Sequence, residues 1–81
     1  MFTEQEFEIL ENYFFVKVYY NVCRNETLNN GTFIFAHRDC YTVSYHENGL
    51  TCQKIFTQFF EVIDYINILI KSQFKQINHD S

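Results

Sequence analysis

The stretch YFFVKVYYNVC, Tyr13 to Cys23, decides how this chain is read, because its side chains do not alternate cleanly. A half-buried strand turns apolar residues to one side and polar residues to the other. Here the even positions, Phe14, Val16, Val18, Tyr20 and Val22, are apolar or aromatic throughout. The odd positions run Tyr13, Phe15, Lys17, Tyr19 and turn polar only at Asn21. The β-branched and aromatic content predicts one continuous strand. Its even face is expected against the core, and its odd face (Tyr13, Phe15, Lys17, Tyr19) forms an outer surface for a partner.

Upstream, Thr3-Glu4-Gln5-Glu6 is a capping box, and Phe2 with Phe7 makes the matching hydrophobic staple. Together they predict a short helix over residues 4–11. Its first-turn carboxylates suit the positive end of the helix dipole, and Glu4, Glu8 and Glu11 form one acidic stripe.

Downstream, Arg24 to Asn30 reads as a polar loop ending in the turn signal Asn-Gly. Thr32 to Ala36 is a second strand, His37-Arg38-Asp39 a tight connection, and Cys40 to Tyr45 a third strand that Glu47-Asn48-Gly49 closes. Short loops favour an antiparallel meander. Thr51 is placed to cap a long helix over Cys52 to Ile77. Ile55, Phe56, Phe59, Val62, Ile63, Ile66, Leu69, Ile70, Phe74 and Ile77 share one broad face of it. Tyr65 and Ile68 lie on the polar arc. Such a helix would reach about 39 Å, against about 17–20 Å for strands of this length. It should overhang its sheet, leaving Tyr65, Ile68, Leu69, Ile70, Phe74 and Ile77 for a dimer or partner interface. The expected fold class is α+β in a single domain over residues 1–81: a short N-terminal helix, a three-stranded antiparallel sheet, and a long C-terminal helix packed on one sheet face.

Composition narrows the function. The 81 residues carry a net charge of −4, and four glutamates with no base in residues 1–12 account for the excess. That argues against a phosphate-binding role, which calls for a basic footprint. Those glutamates also stand where a signal peptide needs basic and apolar residues, and Asn67 interrupts the longest apolar run. A cytoplasmic protein away from membranes is the expectation. The sequons Asn25-Glu26-Thr27 and Asn30-Gly31-Thr32 read as turn residues. The abundance of Phe, Tyr, Ile and Asn matches AT-rich codons, as in a low-GC bacterium, its phage or a large DNA virus.

Signals for chemistry are thin. Cys23, Cys40 and Cys52 contain no Cys-x-x-Cys pair and imply no disulfide framework. His37-x-x-Cys40 with Cys23, His46 and Cys52 offers zinc ligand types, but structural zinc needs paired ligands at both ends, and strand alternation scatters these. A Cys-His nucleophile lacks a glycine-supported oxyanion loop. His37-Arg38-Asp39 spells the kinase catalytic tripeptide without a Gly-rich loop or Asp-Phe-Gly. No catalytic residue, metal or cofactor is expected.

The order helix, three strands, helix resembles the topology of double-stranded RNA-binding domains. Their basic run at the start of the last helix is here TCQKIFTQ, with Lys54 alone. Phe15, Lys17 and Tyr19 could stack bases on a sheet, but the Lys/Arg-Gly-aromatic signature is missing. The best-supported expectation is a protein-interaction module, since aromatic surface that a small sheet cannot bury marks interfaces. Its profile is similar to that of small acidic anti-CRISPR and other anti-defence proteins of phages, which inhibit by occlusion. In that setting the Glu4/Glu8/Glu11 stripe would mimic phosphates. A homodimeric assembly protein is the alternative.

Overall fold

The computed structural model describes the backbone of residues 1–79 and the side chains of residues 1–74. Helix α1 (Glu4–Glu11) begins with the expected capping box: Glu6 N donates to Thr3 Oγ1 at 3.1 Å, and Thr3 N donates to Glu6 Oε1 at 2.9 Å. The Phe2 and Phe7 rings meet at 5.2 Å as the staple. The helix ends in a Schellman motif. Phe15 N donates to Leu10 O and Phe14 N to Glu11 O, which satisfies two carbonyls at the helix end. The left-handed residue this motif requires is Phe14, at φ 67°.

That ending is why Tyr13 to Cys23 is not one strand. Its first three residues close the helix. Strand β1 (Val16–Tyr19) follows, then a two-residue turn at Tyr20-Asn21, then β2 (Val22–Asn25). No glycine marks the turn because neither Tyr20 nor Asn21 has a positive φ. Tertiary bonds hold it instead: Phe2 N donates to Tyr20 O and Ala36 N to Asn21 O. Strand β3 (Thr32–Ala36) and strand β4 (Tyr41–Glu47) fall close to where expected.

The expected start of the long helix at Cys52 is also corrected. Asn48 (φ 54°) and Gly49 (φ 80°) form a tight hairpin turn with both residues left-handed, the backbone that Asn-Gly favours. The chain therefore turns back as β5 (Leu50–Phe56), and Thr51 caps nothing. Helix α2 (Phe59–His79) starts where Gln58 N donates to Glu61 Oε1 at 3.0 Å. Its 21 residues span about 31 Å, less than the 39 Å expected.

The fold is thus α+β as read, with an N-terminal helix, an antiparallel sheet and a C-terminal helix. The sheet has five strands rather than three, in the order β1-β2-β3-β4-β5. Both helices lie on one face. One cross-strand ladder facing them runs Lys17, Cys23, Ile34, Val43, Lys54, and another includes Ala36, Tyr41 and Phe56. Val62, Ile66 and Leu69 of α2 join Leu10, Ile34 and Val43 in the core. Tyr41 packs edge-on against Phe59 and donates to Glu6 Oε2 at 2.7 Å, tying both helices to the sheet.

Candidate interaction face

The opposite face of the sheet is built from two complete ladders across all five strands. One runs Val16, Arg24, Phe33, Ser44, Gln53; the other runs Tyr19, Val22, Phe35, Thr42, Ile55. Six of these ten residues are apolar or aromatic. The helices' aromatic and hydrogen-bonded contacts with the strands fall on the other face, at Tyr41, Tyr45 and Phe56. Phe33 and Phe35 stack on one another (centroids 6.0 Å apart, planes 13° apart) and stay partly exposed. Val16, Tyr19 and Ile55 are 54%, 66% and 71% exposed. A sheet face of this character is ordinarily buried against a second layer.

Phe14 extends the surface at its β1 rim. Its ring is 81% exposed, and it lines a shallow cavity with Val16, Arg24, Asn25, Glu26 and Thr27. A phenylalanine in left-handed backbone with its ring in water is unfavourable on both counts.

Several sequence expectations change. Phe15 is 2% exposed in the core, the hydrophobic partner of Leu10 that accompanies the Schellman motif. Tyr13 is half-buried on the helix side, and its hydroxyl accepts from Asn67 Nδ2. Lys17 also faces the helices, its Nζ 4.7 Å from the Phe7 ring centre. Of the four proposed outer-face residues, only Tyr19 pairs within an outer ladder. The apolar even positions, expected against the core, are instead exposed at Phe14, Val16, Val18 and Tyr20. The helix-end motif and a bulge between Lys17 and Tyr19 break the simple alternation.

On α2, Leu69 is core, Ile70 packs against the core, and Tyr65 bonds Tyr45 hydroxyl to hydroxyl. These three are internal. Ile68 and Phe74 are exposed, and the side chain of Ile77 lies outside the described residues. Glu4, Glu8 and Glu11 are exposed, on the helix side of the sheet.

The sequence reading missed Val16, Phe33, Phe35 and Ile55 as a surface. The usable signal was Asn48-Gly49. Taken as a hairpin turn, it makes Leu50–Phe56 a strand, and the sheet then has more apolar faces than two helices can cover.

Electrostatics on the open face are muted. Arg24 is the single charge in its two ladders, and its Nη2 pairs with Glu26 Oε1 at 2.8 Å. Its Nε is buried without a partner. Cys23 is buried, which pushes its thiol up to about 11. His46 Nδ1 contacts Thr51 Oγ1 at 3.2 Å and His37 Nε2 contacts Thr42 Oγ1 at 2.9 Å. Among the described residues no three His, Cys, Asp or Glu side chains lie close enough to hold a metal ion, and no helix is long and apolar enough to cross a membrane. A polar groove of about 520 Å³ runs beside the β4–β5 turn, with His46 and Glu47 its titratable lining.

Both sequons have structural work. Asn25 is buried: its Nδ2 donates to Tyr13 O, while its Oδ1 accepts from Leu28 N and from Thr27 N and Oγ1. Thr32 is buried and donates to Leu28 O. No protein-family model, curated protein or solved structure matches the chain.

Proposed function

We propose that this chain is a non-enzymatic protein-interaction module whose contact surface is the open face of its sheet. The observation that carries the reading is the pair of uncovered ladders, with Phe33 and Phe35 at the centre and Val16, Tyr19 and Ile55 toward the edges. Contiguous aromatic and aliphatic surface with few charges is the composition of an interface core.

Charge separates this reading from nucleic-acid binding. Stacked aromatics on a sheet could hold bases, but the only cation in these ladders, Arg24, is engaged by Glu26. A chain of net charge −4 adds no long-range attraction for phosphates. Binding and occlusion is the mode such a surface offers. The more specific form, a mobile-element protein that blocks a host defence protein, rests on size and composition alone.

The test is comparative affinity purification from the chain's own host cells, quantified by mass spectrometry. Wild type is set beside Ile55→Asp and the triple variant Glu4→Lys, Glu8→Lys, Glu11→Lys. A protein retained by wild type and the triple variant but lost from Ile55→Asp supports the reading. Equal recovery with all three overturns it. Loss from the triple variant alone moves the contact to the acidic stripe of α1.

A further inference from the structure

We infer that the open sheet face is covered by a second copy of this chain, packed sheet against sheet about a two-fold axis. The inference rests on the interaction reading and names its partner.

The edges of the sheet are guarded where the face is not. A bare edge strand invites pairing, and proteins oppose it with bulges and inward-pointing charges. Both devices occur here. Strand β1 carries a bulge between Lys17 and Tyr19, and the helix-side ladder ends in a lysine on each edge strand, Lys17 on β1 and Lys54 on β5. Continuation of the sheet into another chain is disfavoured, which leaves the open face and the helix side, where Ile68 and Phe74 are exposed.

Charge favours a self-partner in this orientation. Each copy carries −4, and its excess acidity is the four glutamates of α1, of which the stripe Glu4, Glu8 and Glu11 is exposed on the helix side. Dimers that bring helix layers together set these stripes against each other. A face-to-face dimer keeps them on its two outer sides and brings together surfaces whose one cation is already neutralised. Because a two-fold interface sets a patch against itself, near-neutral apolar ladders are self-complementary.

The area is adequate. Phe14, Val16, Tyr19 and Ile55 together expose about 500 Å² by the size of such side chains. With the partly exposed Phe33 and Phe35 and their neighbours, the face offers roughly 700–800 Å² per copy, close to the ~800 Å² per partner of a standard stable interface. Two sheets about 10 Å apart would bury both inner faces as a sandwich, with the helices outside. The strained, exposed Phe14 then sits at the rim of the contact, where its ring has a reason to point outward.

Sedimentation and light scattering of the full chain test this. Wild type is expected at twice the 9.9 kDa chain mass. Tyr19→Asp and Ile55→Asp, both at exposed positions, should give monomers of unchanged circular dichroism, with dimerisation weakened at least about a hundredfold by the buried charge. Ile68→Asp and Phe74→Asp should remain dimers. A wild-type monomer at high micromolar concentration overturns the inference but leaves the interaction reading to the purification above. A dimer split by Phe74→Asp and not by Ile55→Asp also overturns it, by placing the interface on α2. A dimer split by Ile55→Asp, with no other protein recovered from cells, upholds the self-partner and ends the case for a foreign one.

Discussion

Phe14→Gly should stabilise the isolated chain and weaken the proposed self-association, two effects of opposite sign from one side chain. Phe14 occupies the left-handed position of the Schellman motif at φ 67°. A Cβ in that backbone costs about 1–2 kcal/mol. Glycine removes the penalty but loses about 0.5–1 kcal/mol more chain entropy on folding. The ring contributes little in return, being 81% exposed. The balance is a gain of about 0.5–1 kcal/mol, or a rise in Tm of about 2–8 °C for a domain this small. The measurement is thermal and urea unfolding at dilution low enough to populate single chains, with Phe14→Ala as control. Alanine deletes the ring but keeps the strain, so it should be near neutral for folding. Both variants should weaken self-association. A loss of more than about 1 kcal/mol for Phe14→Gly in dilute solution would refute the reasoning, because the ring would then be supporting its own fold.

Asn25→Ala removes one donor and one shared acceptor from a buried junction and leaves Tyr13 O and Leu28 N without those partners. A loss of about 2–4 kcal/mol is expected from urea unfolding, and a loss below about 1 kcal/mol would mean water replaces the side chain. Burial, and then its hydrogen bond to Glu6, push the Tyr41 hydroxyl up to about 12. The bond to Tyr65, and then burial, push Tyr45 up as well. A folded-state value above the unfolded value of about 10 means the folded state holds the proton more tightly. This stabilisation is complete below pH about 10 and is lost as pH rises toward 12. The urea midpoint should therefore fall across that window, and fall less steeply in Tyr41→Phe; equal slopes would contradict the assignment. A thiol reagent at mildly alkaline pH should label the half-buried Cys40 and Cys52 and spare Cys23 until the chain unfolds. Labelling of Cys23 at the same rate in the native protein would show that its strand opens freely.

What could be read without coordinates was whatever adjacent residues decide between themselves. The capping box at Thr3 and Glu6, the Phe2–Phe7 staple, the strand TFIFA and the α+β class are of this kind. Each depends on bonds or periodicities spanning only a few residues. Asn48-Gly49 belongs to the same set: both residues are left-handed, and the hairpin they form makes Leu50–Phe56 a strand where helical spacing alone predicts the first turns of the long helix. Ile55 and Phe56 fit a helical stripe and an alternating strand equally well, and a short apolar run does not separate the two by period alone.

Tertiary structure decided what lies beyond that range. The turn at Tyr20-Asn21 has no local signature and is held by Phe2 and Ala36, distant in sequence. The faces of Tyr13 to Lys17 are opposite to the expectation because the helix-end motif claims Tyr13 to Phe15 and buries Phe15 beside Leu10, and the bulge after Lys17 returns Tyr19 to the open face. A one-residue change of register sends every side chain to the other face. Residue types alone determined that this small chain carries more aromatic surface than one core can hold. Which surface is left over, the face built on Phe33 and Phe35 rather than the one built on Phe15, follows from strand pairing and from both helices packing on the same side. Those are contacts between segments far apart in the chain, and a pattern confined to neighbouring residues does not encode them.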